Sequence, residues 1–295
     1  MFRYLRLKNR PEKIVPDFGV LTTEQLARNP DTPLTLRQIN NLPENVKKRA
    51  YRNLLSPNLL TKFNIHPITW KDAHGEQCVA IKAEPESGVV EISAHKPGDS
   101  KGAFFTLEIA DNTFNGIDLN LLLLNDPQGP YFQTDVDEDG QATLFGSLHR
   151  NLEEEQRAFQ AGLAPGQVRP SLGASKITLQ QLEVFLATLG HQAYFLEPLT
   201  YASAWIFERR GFAYVRGHQL MDEIQAQFQP GGRLQQALDS STPFRQPKQN
   251  CSVRGRAWAI HDGILEAIDA RWNNLRMVKQ IGRHAGVNTF PEGIY

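Results

Sequence analysis

The chain has 295 residues, of which 32 are Lys or Arg and 32 are Asp or Glu, so its formal net charge is zero. That balance gives the whole molecule no field for nucleic acid or an anionic membrane, and the longest dense apolar run, Leu121 to Leu124, is far too short to span a bilayer. With 40% hydrophobic and 22% charged residues, the composition is that of an ordinary globular protein with one sizeable core or two modest ones.

The N-terminal stretch Met1 to Arg10 is basic and lacks the apolar centre of a signal peptide. Cys78 and Cys251 are far apart and form no metal or redox spacing, so the expectation is a cytoplasmic protein with both thiols reduced. Residues 1 to 43 are rich in proline and polar residues. They read as an arm over the domain, with a short helix over Phe18 to Leu26 capped by Thr22 or Thr23. Val46, Ala50 and Leu54 line one face of a helix predicted from Glu44 to Leu55, with Pro43 near its first turn. Ser56-Pro57 ends it, and Leu59, Leu60 and Phe63 suggest a further helical turn.

The pattern then changes to strands. Val79 to Ile81 and Val89 to Ile92 flank a Pro/Ser/Gly loop, which predicts a hairpin. Phe104 to Ile109 and Leu119 to Leu124 read as interior strands. Phe132 to Val136 and Ala142 to Phe145 read as a further hairpin closed by the Asp139-Gly140 turn. Asn151 opens a helix whose first turn holds Glu153, Glu154 and Glu155, a placement that complements the helix dipole.

The most organised stretch runs from Lys176 to Gly217. Leu179, Leu182, Leu186 and Leu189 share a helical face after a capping box predicted at Thr178 and Gln181, and Gly190 suits the stop. Ala193 to Leu196 is a short buried strand. Thr200 caps a second helix carrying Ala202, Trp205, Ile206 and Arg209, Gly211 stops it, and Phe212 to Val215 resumes as a strand. Beyond it, Asp222 to Phe228 reads as a helix, Pro230 to Arg256 as a long ordered loop and Ile264 to Ile281 as a last helix. Strands first and helix-strand units later argue for an α+β fold, a mixed sheet flanked by helices. The predicted division is an N-terminal arm with helices over 1–64, a core over 65–217 and a C-terminal wrap over 218–295.

The segment Ala202-Ser203-Ala204-Trp205-Ile206-Phe207-Glu208-Arg209-Arg210-Gly211-Phe212 resembles an element of the GNAT acyltransferases, a helix ending in aromatic-x-x-x-Gly-Phe before a strand. The resemblance covers about residues 166 to 217. It implies a GNAT-like core that holds an acyl-CoA pyrophosphate at Arg169, Gly173, Ala174 and Ser175, on the N–H groups that open the Lys176 helix. It also implies that an amine attacks the thioester directly, with no metal required. Glu197, at the end of a core strand, is the candidate base, and Tyr201 the candidate substitute for a general-acid tyrosine that many members carry where this chain has Phe207. The CoA loop departs from the family spacing by one residue counted from Arg169, and Pro170 removes one N–H donor.

Other residues suggest other chemistry. Asp135, Asp137 and Asp139 ahead of Gly140 match the first half of a calcium loop, although its twelfth position is Gly146; a solvated hairpin tip explains the same residues. His218 with Asp222, and His261 with Asp262, are pairs that would make a metal site if they converged; each is otherwise a structural residue. Arg245, Lys248, Arg254 and Arg256 occur with no acid between Phe244 and Ala257, a pattern suited to an anionic ligand or to a solvated face. Three readings follow: an acyl-CoA-dependent N-acyltransferase, a non-catalytic small-molecule or partner-binding protein on the same scaffold using the Arg245 to His261 stretch, and a metal-dependent protein.

Overall fold

The computed structural model describes residues 32–99, 101–137, 139–143 and 149–295. The helix expected over Phe18 to Leu26 lies outside them. The first helix, α1 (Leu36–Asn40), is opened by Thr35, which accepts from Gln38 N while the Gln38 side chain accepts from Thr35 N. The Thr-x-x-Gln spacing of this capping box lies within the stretch expected to be an arm over the domain. Helices α2 (Glu44–Arg52) and α3 (Pro57–Lys62) follow as expected.

Strands β1 (Val79–Lys82), β2 (Val89–Ala94), β3 (Phe105–Asp111) and β4 (Ile117–Leu124) form an antiparallel meander. Val90, Ile92, Leu107 and Ile109 pair across neighbouring strands and are buried, so one face of the meander is continuous core. The predicted hairpin after it is not a pair of strands among the described residues. It is reduced to a bridge between Val136 and Ala142, closed by the turn at Asp139-Gly140.

Helix α4 (Leu152–Gln160) starts where Asn151 accepts from Glu154 N, as its sequence predicts. Helix α5 (Ser175–Thr188) begins three residues earlier than expected: Thr178 is no cap but sits inside the first turn, donating to Ala174 O. It leads to β5 (Ala193–Leu196), α6 (Tyr201–Arg209), β6 (Ala213–Arg216) and α7 (His218–Gln227). Thr200 and Ser203 form the cap of α6, and Gly211 turns the chain out of it at φ +86°.

The C-terminal part differs most from expectation. The stretch 230–256 is not a loop: it contains α8 (Arg233–Gln236) and a 3-10 turn (Pro247–Cys251), and it leads into α9 (Val253–His261), most of which is buried. The predicted final helix is a 3-10 turn (Ile264–Ile268) followed by β7 (Arg276–Gln280). The seven strands make one mixed sheet in the order β1-β2-β3-β4-β5-β7-β6. Strand β7 therefore lies inside the sheet, antiparallel to both β5 and β6, and residues 218–295 do more than wrap the core. Glu208, fully buried on α6, ties this segment down by accepting from Thr289 N, Thr289 Oγ1 and Tyr214 Oη at 2.7 to 2.9 Å. No helix among the described residues is long and apolar enough to cross a membrane.

Candidate functional site

The sheet opens where β4 and β5 part. Among the described residues these two strands are its one parallel pair, and they run together only over Ile117–Leu119 and Tyr194–Leu196. A bulge begins the parting: Ile109 pairs with Leu119 but Glu108 with Leu121, leaving Asn120 without an opposite residue. A bulge bends its strand, here at the point where pairing with β5 ends. From Asn120 to Leu123, β4 has no strand on its β5 side; contact resumes where Leu172 N donates to Leu124 O and Asn125 bridges Ser171. The four-residue gap is about 13 Å of strand edge.

A cleft of about 540 Å³ fills this gap. One wall is β4, and the other is β5 and the helix after it. Ala202, Ile206 and Arg209 recur at helical spacing, so one face of α6 runs along the cleft beside Trp205 and Phe207. The closed end lies at Leu119, Leu196 and Glu197. The other end meets Ser171, Gly173, Ser175 and Arg210.

That second end suits an anion. No side chain caps α5, so its first-turn N–H groups stay available, and Gly173 at φ +69° shapes the turn ahead of it. Arg210 donates from Nη2 to Ser175 Oγ at 3.1 Å, and its Nε is buried without a partner. No described carboxylate pairs with it. Sequence reasoning missed Arg210. The only signal was Arg209-Arg210 directly before Gly211, which reads as an ordinary helix C-terminus.

The predicted site residues divide. Gly173 and Ser175 line the cleft and Ala174 precedes the first helical residue. Arg169 is elsewhere: it is 4% exposed, pairs with Asp99 at 3.1 Å and lies over the Tyr131 ring. Its loop is fixed this way because Phe132 N bonds Val168 O and Asp126 N bonds Pro170 O, pinning residues 168–172 against the stretch after β4. Glu197 lines the closed end of the cleft, 3.3 Å from Arg276, which also holds Asp118 at 2.7 Å.

Tyr201 is buried outside the cleft, its ring edge-on to Trp272, and burial pushes its phenol up to about 12 against the pull of Arg256. Phe207 does line the cleft. The tyrosine that joins it there is Tyr295, stacked on Trp205 with ring centroids 6.1 Å apart; Arg209 lies over Trp205 at 4.2 Å and Arg254 over Tyr295 at 4.3 Å. No local pattern announces Tyr295, because the buried Glu208–Thr289 contact delivers its segment to α6.

The remaining candidates stay apart. Asp137 Oδ1 accepts from Asp139 N and Gln141 N, as a hairpin tip does, and Asp135 accepts from Tyr131 Oη at 3.4 Å. His218 and Asp222 form an exposed pair at 3.8 Å on α7. His261 Nε2 lies 3.3 Å from buried Glu155, while Asp262 receives Arg150, Arg245 and Thr242. Among the described residues no group of three or more His, Cys, Asp or Glu side chains could hold a metal ion. Half of the basic stretch is spent internally: Arg245 on Asp262, and Arg256 between the rings of Phe228 and Phe290 with bonds to Asn250 and Gln225, while Arg254 lies over Tyr295 with its Nε unpartnered. No protein-family model, curated protein or solved structure matches this chain.

Proposed function

We propose that this chain is a GNAT-like protein that binds an acyl-CoA in the β4/β5 cleft and transfers its acyl group to an amine. One observation carries the reading: a parallel strand pair parts at a bulge, and the slot so formed ends at an uncapped helix N-terminus beside an arginine without a carboxylate partner. Diphosphate oxygens match the N–H groups of Ser175 and its neighbours together with Arg210. The unpaired edge of β4 offers backbone donors and acceptors to an arm carrying amides. That layout leaves the thioester at the closed end, near Glu197.

In this reading the amine nitrogen bonds to the acyl carbon as the carbon–sulfur bond breaks. The Glu197 carboxylate takes the proton released by the amine, with Arg276 orienting it, and Tyr295 gives a proton to the departing thiolate. Arg169 and Tyr201, buried away from the cleft, take no part in this version.

Thermal denaturation with and without millimolar CoA or acetyl-CoA tests it. A ligand bound well below its added concentration stabilises by about 2–4 kcal/mol, raising the midpoint by several degrees. Arg210→Glu is expected to abolish the rise while leaving the unliganded midpoint within about 2 °C, since Arg210 has only a hydroxyl partner. No rise in the parent protein sinks the reading.

Phe207 and the buried Tyr201 favour a second reading, a binding protein that keeps the cleft without turnover. It gives the same thermal shift but releases no free thiol from acetyl-CoA with any amine offered. Two of the four basic residues expected to serve such a protein, Arg245 and Arg256, are already engaged inside the fold, and the cleft is the larger of the two places for a ligand.

A further inference from the structure

The cleft is walled by more hydrocarbon than an acetyl group can cover. We propose that the acyl group it takes is a medium or long alkyl chain, laid from the closed end of the cleft across Leu199; this rests on the acyltransferase reading above. After the bulge at Asn120, Leu121 and Leu123 fall opposite Glu108 and Thr106, on the sheet face turned away from Leu107 and Ile109. Leu123 is 37% exposed, and Leu199, across the cleft beyond β5, is 54% exposed. Both line the cleft, so the exposed leucines are continuous with its interior.

Large apolar side chains at the rim of a cavity mark a ligand surface more often than isolated ones do. The polar groups are unevenly placed as well. Arg210 and Ser175 stand at one end, while Leu119, Leu196 and Leu199 gather at the other with Glu197. That polarity matches an amphiphile with an anionic head and an apolar tail. The volume of about 540 Å³ equals that of about 18 water molecules, at roughly 30 Å³ each. The arm that leads to the thioester runs beside Leu121 and Leu123, and a two-carbon acyl group beyond it leaves Leu199 uncovered, whereas a longer chain removes Leu199 from water as well. Each methylene so buried strengthens binding about fourfold.

The test is a calorimetric titration of the full chain with CoA, acetyl-CoA and octanoyl-CoA, repeated on Leu199→Glu. Octanoyl-CoA is expected to bind about tenfold or more tighter than acetyl-CoA, and the substitution is expected to cut that gain to about threefold or less. Leu199 is half exposed, so the fold should tolerate the change, and the comparison of thioesters on the parent protein does not depend on the variant. If octanoyl-CoA binds no tighter than acetyl-CoA while CoA itself binds, this inference is overturned and the acyltransferase reading stands. If none of the three binds, that reading falls and takes this inference with it.

Discussion

Glu155 sits in the first turn of α4, where the sequence reads it as a helix-dipole residue, yet it is buried and receives both Arg150 and His261. Burial raises its pKa, and the contacts with His261 and Arg150 outweigh that effect, so the carboxyl is held below the usual carboxylate range. A lowered folded-state pKa stabilises the protein above the unfolded value, about 4.3, and this contribution is lost as pH falls through the lower folded value. Glu155→Gln is therefore expected to cost about 2–3 kcal/mol at neutral pH. The gap to the parent should narrow below pH ~4. Urea unfolding at a series of pH values measures both; a gap independent of pH would refute the assignment. The dipole reading of Glu155 is incomplete, because His261 lies 106 residues along the chain from it, and Arg210 and Tyr295 likewise meet partners distant in sequence.

Elements that satisfy their own local rules were legible. The leucine spacing of α5, the β-rich runs of β1 to β4 and the Thr200 cap of α6 appear in the structure close to where the sequence puts them. The misses share a cause. Strand β7 contains Lys279, which is 5% exposed and reaches Glu183 and the backbone of Arg283, so a buried lysine breaks the apolar alternation that announces a strand. Helix α9 contains Gly255, packed on the backbone of Gln249, and Arg256, held between two rings; glycine is a poor helix former and a buried arginine interrupts the apolar face, so the segment lacks a helical pattern. Gly211, by contrast, is fixed locally and globally. It has φ +86°, and a methyl group there would lie 2.9 Å from His284 Cα, in the segment that Glu208 fastens to α6. Gly211→Ala is expected to cost about 2 kcal/mol or more, from the left-handed backbone and this contact together. Thermal unfolding with a midpoint unchanged from the parent would contradict it.

At the scale of the whole molecule, a strand from the C-terminal segment, β7, completes the sheet between β5 and β6. Most of the cleft wall comes from β4, β5, α5 and α6, but Tyr295 joins it and β5 is flanked on its other side by β7. Deleting residues 218–295 is therefore expected to remove cooperative unfolding altogether, because β5 and β6 lose the strand between them and an interior row of backbone groups is left unpaired. Near-ultraviolet circular dichroism on the truncated chain decides this; a native-like spectrum with a sharp melt would show that residues 1–217 fold without the rest. The same insertion sets a timetable for synthesis. The meander can zip up from neighbouring hairpins as the chain emerges, but Leu196 has to wait for Met277, and Tyr214 for the same residue, before the sheet is whole. Until residue 280 has left the ribosome, β5 is held by three residues of β4 alone and β6 has no strand partner. This protein's most vulnerable moment is then late in its own birth, when a chaperone has most to protect and a slowed ribosome most to expose.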